Sequence, residues 1–232
     1  MLQLDCWDGP DGEPIIYHGW TLTSKLLFKD VLMDAIKPYS FKASPYPVIL
    51  SIENHCSREQ QDKMAEHFKT ILGDMLYTET VDTTKDQLPS PEQLKNKILV
   101  KAKKIKLTAA GSIEVAAEED EPAEKDDRKS SIRSKNSQQA KAEELTKSSI
   151  STQSRALSDL VNYCEAMKFQ SFDLPRNYWE MSSLEETKAL QFCSTQSNSA
   201  KFVNYNKTNL SRIYPKGTRL LSSNLGWHSN GY

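Results

Sequence analysis

Across residues 1–107, short apolar runs alternate with stretches whose apolar positions recur at helical spacing. LQLDCW and PIIYHGW read as strands, separated by the Gly/Pro-rich turn DGPDGEP. SKLLFKDVLMDAIKPY carries Leu27, Val31, Met33 and Ile36 at helical spacing and predicts a helix that ends at Pro38. YPVILSIENH reads as a buried strand whose polar residues sit only at its C-terminal end. SREQQDKMAEHFKTILGDML is a second amphipathic helix, with Ser57 as N-cap and Gln60 three residues on. NKILVKAKKIKL is a further strand, ending in lysines. Strand and helix alternating at this spacing predict βα units and a parallel sheet, so the fold class is α/β. His18, Glu53, Asn54, Lys101 and Lys103 fall at the C-terminal ends of these strands. That is the end at which a (β/α) barrel carries its chemistry.

The pattern is lost over residues 108–155, which are rich in Ala, Ser, Glu and Lys and contain no aromatic residue. Such a composition buries too little apolar surface to offset chain entropy, and it predicts a disordered linker inserted into the fold. Its charge is segregated: residues 114–127 hold eight acids and one lysine, and residues 128–147 hold six bases and two acids. Order resumes over 156–232. ALSDLVNYC reads as a strand, and EMSSLEETKALQFC as a turn capping a helix, with Ser182 or Ser183 near the N-cap. AKFVNYNKTNLSRIYP reads as a helix running into a strand, while LLSSNLGWHSNGY has no clear element.

Composition adds exclusions. With 30 basic and 31 acidic residues, net charge is −1, which gives no reason to expect a nucleic-acid partner. The four cysteines, Cys6, Cys56, Cys164 and Cys193, form no CxxC pair, so they read as reduced thiols in a cytosolic protein. No apolar run approaches the ~18 residues of a spanning helix, so any membrane contact is expected to be peripheral.

Several residues could carry chemistry, and each has a plainer reading. Asp5, Asp8 and Glu53 could gather around a hard cation such as Ca²⁺, or be solvated strand-end acids. His18 could be a general acid or base, or a structural imidazole beside Tyr17 and Trp20. Lys101, Lys103, Lys104 and Lys106 could receive phosphates, or simply solubilise a strand end. Arg212 with Tyr214 could hold an anionic ring substituent, or pack its stem and snorkel. Read together, the acids, the imidazole and two sets of cations suit a phosphorylated substrate bridged to the protein by Ca²⁺.

Four longer segments go further. LDCWDGPDGEPIIYHGWTLTSK, FKASPYPVILSIENHCS, LPSPEQLKNKILVKAKK and LSRIYPKGTR with the SSN that follows resemble the eukaryotic phosphoinositide-specific phospholipase C family. The first block is similar to its X region, the last to the start of its Y region, and the biased stretch stands where the family has its X–Y linker. The resemblance implies an incomplete, distorted TIM-like (β/α) barrel, with an X half-barrel over 1–107, a linker over 108–155 and a partial Y half-barrel over 156–232. It implies Ca²⁺-dependent hydrolysis of phosphatidylinositol 4,5-bisphosphate at the inner face of the plasma membrane. By position, it makes His18 the acid for the leaving glycerol oxygen, and Asp5 and Glu53 calcium ligands, Glu53 also assisting deprotonation of the inositol 2-hydroxyl. It makes Lys101, Lys103, Ser183 and Arg212 headgroup contacts, and it stacks Tyr214 near the inositol ring. Asp8 has no counterpart among the family's ligands and returns to the turn.

Departures from the pattern matter as well. Gln3 stands where the family has a glutamate ligand; its amide oxygen can bind Ca²⁺ with one negative charge fewer. The family's first catalytic histidine and its adjacent asparagine would lie upstream of Met1, and the Y pattern is not followed after SSN. An internal piece of a phospholipase C is therefore expected, folding poorly alone and turning over little substrate. The alternative is a catalytically inactive phospholipase-like protein that binds phosphoinositides or serves as a scaffold. In the first case, the acidic half of the linker is expected to lie over the cationic mouth until membrane charge displaces it. No upstream activator is indicated.

Overall fold

Side-chain alternation along the strands decides the architecture. The structure, a computed structural model, describes residues 1–19, 23–107, 113–115 and 153–216. Its strands are β1 (Leu2–Trp7), β2 (Ile15–Ile16), β3 (Leu26–Leu27), β4 (Val48–His55), β5 (Ile98–Ala102), β6 (Ile105–Leu107), β7 (Ile113–Val115), β8 (Val161–Lys168), β9 (Glu180–Glu185) and β10 (Leu210–Tyr214). Eight of them form one sheet in the order β10-β9-β8-β5-β4-β1-β2-β3, while β6 and β7 make a separate antiparallel pair. From β1 to β10 the main strands run parallel. β2 and β3 do not: they add to the β1 edge antiparallel, which corrects the expectation that PIIYHGW is another parallel barrel strand. Among the described residues of that run, 14–19, only Ile15–Ile16 is strand.

The even positions Leu4, Cys6, Leu50, Ile52, Val100 and Ala102 face outward into one buried cluster. The helices complete it. α1 is a continuous helical run of Phe28–Asp30, a wider π-type stretch Val31–Ile36, and Lys37–Tyr39. It buries Phe28, Leu32 and Ile36, while Met33 is half exposed, so its stripe lies one position round from the predicted face. α2 (Arg58–His67) and the π-type turn Phe68–Leu72 contribute Met64, Phe68 and Leu72. The odd positions Ile49 and Leu99 point the other way, into a second cluster with Tyr163, Met181 and Leu210. That cluster fills the concave side near the N-terminal ends of the strands. A third cluster seats α4 (Glu186–Cys193) and α5 (Gln196–Asn206) on the outside of β9 and β10, through Leu184, Phe202, Tyr205 and Ile213.

Two more expectations need correction. Ser182 and Ser183 are not cap residues but the middle of β9; the N-cap of α4 is Glu185. ALSDLVNYC is split, its first residues forming α3 (Arg155–Ser158) and the rest the start of β8. Ser57 does occupy the N-cap of α2, yet its hydroxyl does not cap. Instead, Asp8 Oδ1 accepts from the Ser57 N–H (2.9 Å) and from its hydroxyl (3.0 Å). Gln60 reaches Gly9, accepting from its N–H (3.0 Å) and donating to its carbonyl (2.9 Å). The capping box is thus replaced by a clamp on the β1–β2 turn. Most of the segment expected as a linker, and the tail after residue 216, lie outside the described residues; within the former, residues 113–115 form β7.

Ser154 ties the later part of the chain to the earlier part. Its hydroxyl donates to Asp62 (2.5 Å) and accepts from the Leu157 N–H (3.0 Å), while its own N–H donates to Gln61 (3.0 Å). Ser154→Ala is expected to lower stability by about 1–2 kcal/mol, the usual cost of a lost N-cap. A urea midpoint unchanged from that of the parent chain would disprove it.

Candidate active site

The parallel register sets the site out in rows. Gln3 of β1, Ser51 of β4 and Lys101 of β5 stand at one level, and Asp5 stands beside Glu53 one step nearer the C-terminal rim. All have odd numbers on strands whose even residues pack outward, so they share the concave face above the apolar cluster. On the far side, Ser183 of β9 is level with Lys168 of β8 and Arg212 of β10.

These two sides meet. The Gln3 amide N–H group donates to Asp5 Oδ1 (2.9 Å) and to Glu53 Oε2 (2.8 Å). Its carbonyl oxygen accepts from Arg212, a residue 209 positions away in the chain. β1 and β10 are separated in the sheet by β4, β5, β8 and β9, so this contact requires the sheet to curl round on itself. Arg212 is buried, with its guanidinium 5.2 Å from the centre of the Tyr214 ring. Lys101 is also buried, and Lys103 lies just past the end of β5 at an intermediate exposure. The Ser183 hydroxyl oxygen is buried with no hydrogen-bond partner among the described residues.

His18 arrives by a different route from the one expected. Because β2 runs back along β1, the Tyr17 N–H donates to the Asp5 carbonyl (3.2 Å), and His18 follows beside that level. Its imidazole is exposed, with Nδ1 3.1 Å from the Gly19 carbonyl. Asp8 is elsewhere, committed to Ser57. Two residues were missed. His55, two positions beyond Glu53 on the same face, holds Glu53 Oε1 through Nε2 (2.9 Å) and stacks on Trp7 at 3.9 Å. The alternation Ser51, Glu53, His55 was the signal for it. Lys168 lies beyond the strand that the sequence predicts to end at Cys164, because β8 runs on to Lys168.

The donor set fits a hard divalent cation: two carboxylates and one carboxamide, all able to offer oxygen, converge on a single point. Among the described residues no three His, Cys, Asp or Glu side chains cluster as metal ligands. The cysteines offer no competing chemistry. Burial pushes the Cys56 and Cys164 thiols up to about 12, and burial also raises Cys6 and Cys193, so all four are poor nucleophiles.

Comparison with known proteins identifies the family. The family model for the X domain of phosphatidylinositol-specific phospholipase C matches residues 1–104, and that for its Y domain matches residues 157–228. The chain belongs to the phosphatidylinositol-specific phospholipase C family. It is 48% identical over 233 residues to human (Homo sapiens) 1-phosphatidylinositol 4,5-bisphosphate phosphodiesterase delta-1, covering 96% of this chain and 29% of that protein. It is also 42% identical over 229 residues to inactive phospholipase C-like protein 2 of Mus musculus, covering 97% of this chain and 19% of that one. Among solved structures, S. officinalis PLC21 matches with a TM-score of 0.68 and 36% identity, over 96% of this chain and 26% of that one. The family's TIM-like barrel is thus present here as a curled α/β sheet, open at β3 and β10 among the described residues. No helix among those residues is long and apolar enough to cross a membrane.

Proposed function

We propose that this chain carries the headgroup site of a phosphoinositide phospholipase C, which hydrolyses phosphatidylinositol 4,5-bisphosphate to diacylglycerol and inositol 1,4,5-trisphosphate with Ca²⁺. One observation carries this reading: two carboxylates, a carboxamide and a buried guanidinium are joined by hydrogen bonds on the concave face, with buried Lys101 level with Gln3. Lys101, Lys103, Ser183 and Arg212 hold the ring phosphates, and Tyr214 lies along the ring. Glu53, oriented by His55, takes the proton as the inositol 2-oxygen attacks phosphorus. The bond to the glycerol oxygen breaks, and His18 protonates that oxygen, releasing diacylglycerol. Water then opens the cyclic phosphate. When bound, Ca²⁺ would be held by Asp5, Glu53 and the Gln3 oxygen, and would supply positive charge for the phosphate and acidify the 2-hydroxyl. The lipid is met at a membrane surface, by peripheral contact at the inner face of the plasma membrane.

A second reading has its own support: Gln3 removes a negative charge from the cation position, and an inactive phospholipase C-like protein is among the similar proteins. The chain spans less than a third of the length of each of these relatives. The deciding experiment therefore uses the protein encoded by the full transcript, on vesicles of phosphatidylcholine with and without phosphatidylinositol 4,5-bisphosphate. Ca²⁺-dependent release of inositol trisphosphate is the expected result. Binding to the phosphoinositide vesicles without release would establish the second reading, and absence of both would overturn the site itself.

A further inference from the structure

The orientation of the Gln3 carboxamide is dictated by its neighbours. Two carboxylates accept from its nitrogen, and a guanidinium donates to its oxygen. The reverse orientation would set an oxygen against two anions and an NH₂ against a cation, so only one is satisfied. The amide nitrogen therefore stands where Asp5 and Glu53 converge, in the place a cation would take between them. Gln3 can itself become a ligand only by turning its oxygen inward, and that breaks its bond from Arg212.

We propose that Gln3 is a latch coupling anion binding at Arg212 to cation binding at Asp5 and Glu53. This deepens the function proposed above and rests on its assignment of phosphate to Arg212. A phosphate that draws the guanidinium away frees the Gln3 oxygen; the amide then rotates, withdraws its N–H group from the carboxylates and offers oxygen in its place. Each ligand removes an obstacle to the other, so the coupling is positive and must be reciprocal. Gln3 is a positioning residue for both. Its side chain reaches across the concave face, from one end of the chain to the other, and the two halves of the site communicate through it.

The test is calorimetric and needs no turnover. Ca²⁺ is titrated into the protein encoded by the full transcript with and without inositol 1,4,5-trisphosphate, for the parent protein and for its Gln3→Leu and Gln3→Glu variants. The parent protein is expected to bind Ca²⁺ about tenfold more tightly with the trisphosphate present, and the trisphosphate more tightly by the same factor with Ca²⁺. Gln3→Leu, which has neither the amide N–H group nor the oxygen, is expected to keep only the coupling that comes from direct contact of Ca²⁺ with the trisphosphate, and to bind Ca²⁺ with a clearly smaller gain on adding it. Gln3→Glu cannot donate to the carboxylates and adds a charge, so it is expected to bind Ca²⁺ at least tenfold more tightly without the trisphosphate. If Gln3→Leu keeps the full coupling, the latch is wrong and the functional reading stands; if the parent protein binds both ligands independently, the latch fails together with the placement of Ca²⁺ against the phosphate. If the parent protein binds neither ligand, the functional reading fails, and the latch with it.

Discussion

Arg212→Met is expected to weaken binding of inositol 1,4,5-trisphosphate about a hundredfold while leaving the chain folded. A buried guanidinium presents several donors in a fixed fork that suits phosphate, and a hydrogen-bonded charge of this kind contributes on the order of 3 kcal/mol, or two powers of ten. Arg212 is only 8% exposed, so its charge is little screened by water. The loss of the bond to Gln3 need not unfold the chain, because Gln3 is exposed and can bond to solvent instead. Arg212→Lys keeps the charge without the fork and is expected to fall between the two. Titration calorimetry measures all three, with thermal unfolding as the control for folding. A loss of threefold or less for Arg212→Met would show that the phosphates are held elsewhere.

Phe68→Ala is expected to bring the chain close to unfolding. Phe68 is fully buried and meets the ring of Phe28 edge-on at 5.1 Å. It lies where α1, α2 and the outward faces of β1, β4 and β5 join in one cluster. Truncating such a ring removes its burial and leaves a cavity, at about 3–5 kcal/mol. Domain stabilities are about 5–15 kcal/mol in total, so the loss is a large share of what is available. A urea midpoint falling by less than about a fifth would mean that the cluster collapses around the missing ring.

The strand-and-helix alternation of the first block was legible because its parallel strands, covered on both faces, read as continuous apolar runs such as PVILSI. The direction of β2 was not: two isoleucines pair equally well either way, and only the short turn before them favours reversal. β9 was hidden by its own serines. Ser182 and Ser183 look like cap residues, yet Ser182 bonds to Tyr205 and Ser183 is buried on the concave side, level with Arg212. A strand with polar residues on both sides has no visible period. Asp5, Glu53, Lys101 and Arg212 are legible in the sequence, but the meeting of Asp5, Glu53 and Arg212 through Gln3 depends on how far the sheet curls. That is decided by the apolar residues beneath them, such as Leu99, Met181 and Leu210.

The turn between β1 and β2 acts as a gauge. Because β2 doubles back, each residue added or removed there shifts His18 by about 3.4 Å along β1 and turns it to the opposite face. Surface loops usually absorb insertions at little cost. This one cannot, for Gln60 holds Gly9 at both its backbone groups, and a Cβ on Gly9 would collide with Ile15 at 2.6 Å. Residues that never touch a substrate thereby set the reach of the imidazole, and the length of this segment is as much a specification of the site as any side chain in it.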